Sequence, residues 1–202
     1  MDTRHQYQSA YQEALKCFQK QIPQKIADLS LATFENDSFC LPYIGEIVTV
    51  DFPSGEMYSQ KRPLILEDKI IILQYLTEAT PAKEQNNWIS FLQLPGGPLH
   101  HDPFVKVAQG AFERTFGNDK ASFLKIADFY DAKNIKLSTD GLLFRCLPKI
   151  PAVVLLWEAD DEFPAKCNIL FDSTASMHLQ TATIFMLGLR LAHIVCGSKR
   201  TT

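Results

Sequence analysis

The segment Ile150–Asp172, "IPAVVLLWEADDEFPAKCNILFD", sets two apolar runs on either side of a short acidic stretch. Runs of this length without polar alternation read as strands covered on both faces, so "AVVLLW" and "CNILF" are expected to pair as central strands. Their connection then emerges at a sheet end and carries Glu158, Asp160, Asp161 and Glu162. Carboxylates crowded in this way repel one another unless water, a cation or backbone donors relieve them. The expectation is that Glu158 and Asp160 stay hydrated. Asp161 or Glu162 is expected to turn inward and accept hydrogen bonds near the "LPGGP" loop, because Phe163 anchors the returning strand.

Working outward, "LLFRCLP" just upstream is also extended, and Leu179 to about Cys196 downstream is apolar nearly all round, which suits a helix buried against the sheet. At the other end of the chain, Tyr7, Ala10, Tyr11, Ala14, Leu15 and Phe18 recur at helical spacing, and Pro23 marks a boundary. From Leu31 the period changes. "LATFE", "SFCLP", "EIVTVDF" and "GEMYS", separated by "ND", "YIG" and "PSG", predict an antiparallel meander. Pro63 opens a predicted helix to about Ala79, and Asp102-Pro103 and Gly117 fit the start and stop of another. A further helix begins at Asp119 or Lys120. The reading is an α+β fold in a single domain over 1–202, a mostly antiparallel sheet packed against several helices. Its parts are a helical N-terminus over 1–30, a meander over 31–60, a helical middle over 63–132, and C-terminal strands and helix over 142–197.

The chain has 202 residues, with 20 basic against 23 acidic side chains and a formal net charge of -3. Phosphate binding needs a concentrated positive surface, so a nucleic-acid partner is not expected. No apolar run reaches the ~20 residues of a membrane helix, since Arg190 and His193 interrupt the longest one. The polar N-terminus lacks the apolar core of a signal peptide, and a cytoplasmic location is expected. The five cysteines are scattered and unpaired in spacing, so buried free thiols are expected, with neither a disulfide framework nor a metal site.

No phosphate loop, dinucleotide fingerprint, HExxH, GxSxG or EF-hand pattern is present. Candidate ligand-binding residues therefore come from loops beside rigid elements. Gly96 and Gly97 can bring backbone close to a ligand, although a glycine turn feeding a capped helix explains the same letters. The neighbouring His100 and His101 chelate one ion poorly if they lie on a strand, where they point to opposite faces. Asp161, Glu162 and Phe163 belong to the acidic loop, which suits a hard cation or plain solvation. Asp172 suits a cap, and His178 can titrate near neutrality. Trp88 beside a polar loop packs a core or stacks on a ligand.

Taken in order, "NNWISFLQLPGGP" and "FRCLPKIPAVVLLWEADDEFPAKCNILFD" resemble a family of bacterial and archaeal proteins described as a domain of unknown function, found largely in anaerobes. The resemblance covers roughly residues 10–196. It implies an association with anaerobic metabolism, in some relatives with corrinoid or methyl-transfer proteins and in others with an added iron–sulfur segment. This chain has no cysteine cluster, so the iron–sulfur implication does not carry over. The functional expectation is an auxiliary domain that binds a small molecule or a protein partner, with no cofactor specified. The rival is an enzyme whose acid–base or divalent-metal site is built from Asp161, Glu162, Asp172 and His178.

Overall fold

The computed structural model describes residues 3–198. Two amphipathic helices, α1 (Thr3–Gln19) and α2 (Pro23–Ser30), precede the meander β1 (Thr33–Glu35), β2 (Ser38–Tyr43), β3 (Glu46–Asp51) and β4 (Met57–Ser59). All three pairings are antiparallel, in the order β1-β2-β3-β4. The first hairpin turns through Asn36 and Asp37, both with positive φ, as a two-residue turn of matching twist requires. One face of the meander packs on α1, where Phe18, Phe39 and Phe52 meet edge to face.

Helix α3 (Leu66–Glu78) follows. It starts three residues after Pro63 rather than at it, because the Asp68 carboxylate accepts the Ile65 N–H at 3.1 Å and fixes the first turn there. Strand β5 (Trp88–Ser90) leads into the glycine loop and a 3₁₀ turn at Gly97–His100. That turn runs straight into α4 (His101–Phe104), so Asp102 sits inside the first turn instead of capping it. A π-helical turn at Val105–Gln109 joins α4 to α5 (Gly110–Phe116), and Gly117 ends the rod as expected. Helix α6 (Lys120–Lys125) is capped by Asp119, which accepts the Ser122 N–H at 3.0 Å.

The second sheet has the order β5-β9-β8-β7-β6, antiparallel throughout, and comprises β6 (Lys133–Lys136), β7 (Asp140–Leu147), β8 (Ile150–Trp157) and β9 (Lys166–Asp172) together with β5. Strand β8 is central and buried along nearly its whole length, as its unbroken apolar run requires. Strand β6 lies between the predicted segments. "KNIK" carries one apolar residue, and its pairing with β7 rather than its own pattern makes it a strand. A short helix α7 (Ala175–His178) precedes α8 (Thr181–Ser198). Helix α8 packs mainly among α3, α5 and the π-turn, and reaches the sheet where Gly188 faces Phe104 and Phe171.

Among the described residues no helix is long and apolar enough to cross a membrane. The cysteines are free, with Cys146, Cys167 and Cys196 buried. Cys17 is exposed and Cys40 half-buried, contrary to the expectation of buried thiols, because Cys17 lies on the outer face of α1 and Cys40 on the partly exposed face of β2.

Candidate functional site

The two sheets meet at the β2–β3 turn. Its Ile44 N–H donates to Cys146 O at 3.2 Å, tying the meander to β7. Gly45 has φ 77, and a Cβ there would lie 2.7 Å from the Tyr130 Cα, so both conformation and space demand glycine. The segment "QKRP" after β4 crosses beside this turn, and the later turns of α8 face it. Between them opens a cleft of about 730 Å³.

Glu46, Lys61, Arg62 and Arg190 line this cleft, and the buried Asp68 holds Arg190 from behind. Arg62 pairs with Glu46, which is 7% exposed and also accepts the Ser59 hydroxyl. The Arg62 guanidinium stands 5.4 Å from the Tyr43 ring centroid, and its Nε and Nη2 are buried without a hydrogen-bond partner. Arg190 donates from Nε and Nη2 to the two oxygens of Asp68 at 2.8 and 2.9 Å, a side-on fork. Asp68 is fully buried and also accepts the Tyr43 hydroxyl at 2.7 Å. Burial, and then the charge of Asp68, push the Tyr43 phenol well above its ordinary pKa, so it stays a donor. Burial disfavours the Arg190 charge, but hydrogen bonding and attraction to Asp68 outweigh it and raise its pKa.

Lys61 closes the mouth. Its ammonium donates to Gly45 O at 2.6 Å and Phe129 O at 3.4 Å, and lies 5.2 Å from the Phe129 ring centroid. It has no ion pair among the described residues. Phe129 is 59% exposed, and the cleft wall continues through Ile65, Tyr130 and Ile194, with His193 exposed at the rim.

A second polar cluster lies at the far end of β9. Asp172 is fully buried and accepts the Thr174 hydroxyl at 2.6 Å, the Thr174 N–H at 3.0 Å and the Gln85 N–H at 3.1 Å. Burial works to raise its pKa, but these hydrogen bonds prevail and lower it. His178 is also fully buried, and its Nδ1 accepts the Thr80 N–H at 3.2 Å, leaving Nε2 buried and unpartnered. Burial, and then the charge of Lys149, push the His178 pKa down to about 4 against an opposing pull from Asp172. Lys149 donates from Nζ to Thr80 O at 2.7 Å, and burial lowers its pKa. Together these groups tie the segment from Thr80 to Gln85 onto the second sheet.

The residues singled out in the sequence fall in three places. Trp88 sits opposite Asp172 in the β5–β9 pairing, half-buried, with His178 beyond the strand end. Gly96 and Gly97 form the tight loop before α4. Gly96 has φ 74, and a Cβ on Gly97 would clash with Phe91 O at 2.1 Å. Asp161, Glu162 and Phe163 sit on the β8–β9 hairpin, where Ala159 N–H donates to Gly117 O. The glycine loop precedes the rod from His101 to Phe116 and the acidic hairpin touches its far end, about 24 Å away at 1.5 Å per residue, so the two loops do not form one rim.

Glu158 and Asp160 are exposed as expected, but they and not Asp161 or Glu162 accept the loop's hydrogen bonds. Asp160 accepts the N–H groups of Glu162 and Phe163 at 2.9 and 2.7 Å, and Glu158 accepts the Lys120 N–H at 3.2 Å. Asp161 and Glu162 are exposed and their carboxylates have no hydrogen bond or ion pair among the described residues. The physical reason is that Asp160 satisfies the loop donors itself, while Phe163 is 66% exposed and draws nothing inward. Among the described residues no three of His, Cys, Asp and Glu converge as a metal site.

The cleft residues were not singled out by sequence pattern. Glu46, Arg62, Asp68 and Arg190 are far apart in the chain. The legible hints were the basic pair Lys61-Arg62 before Pro63 and the interruption of an apolar helix by Arg190 and His193.

An α+β protein with two antiparallel sheets and an ion-paired cleft at their junction is thus the class that fold and site define. The chain belongs to a family described as a domain of unknown function (DUF3786), whose model matches residues 23–193, including almost the whole cleft. No curated protein and no solved structure matches the chain.

Proposed function

We propose that this chain is a small-molecule-binding domain and that its ligand occupies the cleft between the β2–β3 turn and α8. The observation that carries the reading is the convergence of Lys61, Arg62 and Arg190 on a concave site of about 730 Å³. Ligand sites typically measure ~300–1,000 Å³ and combine apolar walls with a few placed polar groups. The carboxylates at the cleft, Glu46 and Asp68, are engaged by arginines, which suits binding better than acid–base chemistry. An anaerobic setting belongs to this proposal on family resemblance alone, and a cytoplasmic one on the polar N-terminus; the anaerobic setting directs the test. Native mass spectrometry of the chain purified without oxygen from its own host is expected to show a retained small molecule that Lys61→Glu releases. A bare chain mass, with no melting-temperature response to a panel of small anions, overturns the reading.

A second reading keeps Asp172 and His178 as an acid–base pair, favoured by the unpartnered Nε2 of His178. Reaction of His178 with diethyl pyrocarbonate in the native protein supports it. Complete protection until unfolding makes the cluster purely architectural.

A further inference from the structure

We infer that the cleft takes an organic anion, a carboxylate or phosphate ester carried on an apolar or aromatic body; this rests on the ligand-binding reading above. The charge follows from the balance of the side chains. Glu46 neutralises Arg62 and Asp68 neutralises Arg190, while Lys61 has only two backbone carbonyls and a ring face as partners, leaving the mouth of the cleft positive. An ammonium has three donors, so Lys61 can give one to a ligand oxygen while it bridges Gly45 and Phe129. A cationic ligand would meet this unneutralised charge and find both nearby carboxylates already engaged.

The body follows from the walls. Ile65, Phe129, Tyr130 and Ile194 line the cleft together with the basic groups, and the ring of Phe129, beside the Lys61 ammonium, is more than half exposed at the mouth. A free phosphate displaces only the volume of a few waters, each roughly 30 Å³ in the liquid, so it would leave most of a cleft of about 730 Å³ as water against apolar walls. A flat organic body covers that surface and removes it from water, and the exposed face of Phe129 offers a stacking platform beside the ammonium.

The test is a titration of the isotope-labelled full chain, followed by amide NMR, with benzoate, phenyl phosphate, benzamide and inorganic phosphate. Benzoate and phenyl phosphate are expected to shift the amides of Gly45, Lys61 and Tyr130 saturably, with benzamide and inorganic phosphate at least about tenfold weaker. Both test side chains, Lys61 and Phe129, are exposed, so Lys61→Gln and Phe129→Ala should keep the native amide spectrum. Lys61→Gln should weaken both aromatic anions by about tenfold, while Phe129→Ala should weaken them and leave inorganic phosphate unchanged. Benzamide binding as tightly as benzoate, or inorganic phosphate as tightly as phenyl phosphate, overturns the proposed class and leaves the cleft reading intact. Silence from all four probes with a molecule retained in the native mass spectrum also overturns the class alone; silence in both experiments removes the binding reading beneath it.

Discussion

At the tip of the β8–β9 hairpin, Glu158, Asp160, Asp161 and Glu162 crowd into one loop and all stay exposed. At the cleft, Glu46, Arg62, Asp68 and Arg190 come from distant parts of the chain and are largely buried. The dense cluster is the inexpensive one, because water screens it and one Asp turn organises its backbone. The dispersed set is where removing a single partner strands a charge in the interior. Density of charge along a sequence is therefore a poor guide to where charge matters in the fold.

The contrast can be broken most sharply at Asp68. Asp68→Ala removes the acceptor for Tyr43, Ile65 and the Arg190 fork together, and a destabilisation of ~3–5 kcal/mol in urea unfolding is expected. A loss below about 1 kcal/mol would mean that water reaches Arg190 and that the network is surface-like.

A pH titration of stability sharpens it next. The His178 pKa falls from an ordinary 6.5 to about 4 in the fold, so between these values the unfolded chain binds more protons than the native one. The stability contributed by neutral His178 is fully present above pH 6.5 and is lost as the pH falls toward 4, at up to about 1.4 kcal/mol per pH unit. His178→Gln should flatten the slope in that window. An unchanged slope would assign the acid sensitivity to other groups.

Within the hairpin the effects should be smaller. Asp160→Ala loses two backbone acceptor contacts and is expected to destabilise by about 1 kcal/mol. Asp161→Asn and Glu162→Gln should stay within about 0.5 kcal/mol of the parent, as isolated surface changes do. If Asp161→Asn cost more than Asp160→Ala by denaturant midpoint, the inward and outward roles given to these acids would be interchanged.

Local pattern carried much of the architecture. The four meander strands, the buried β8–β9 pair and the long terminal helix follow from period, turn residues and unbroken apolar runs, because each reports on its own neighbourhood. Strand β6 was not legible, since "KNIK" owes its conformation to β7. Gly117 was readable as a helix end, whereas Asp102 was misleading because the preceding 3₁₀ turn had already begun the helix. At the site, the glycine loop and the acidic loop each stand out by composition, but composition does not say that a helical rod separates them. Nor does it bring Arg62 to Glu46 or Arg190 to Asp68; the first pairing exists only once the segment after β4 folds back beside β3, and the second only once α8 packs on α3.

The π-turn at Val105–Gln109 has a bearing on which length changes the chain can tolerate. An α-helix advances about 100° per residue, so Phe104 and Phe112, eight positions apart, would point about 80° apart on a regular rod. The wider turn absorbs roughly one residue and returns both rings to the same side, where each is fully buried. It also lets Gln109 reach Asn168 and Glu113 reach the Cys167 N–H on β9. Shortening the chain by one residue here would leave a perfectly regular helix. That helix would be improved in local geometry and wrong in rotation, carrying Phe112, Glu113 and Phe116 off the sheet together.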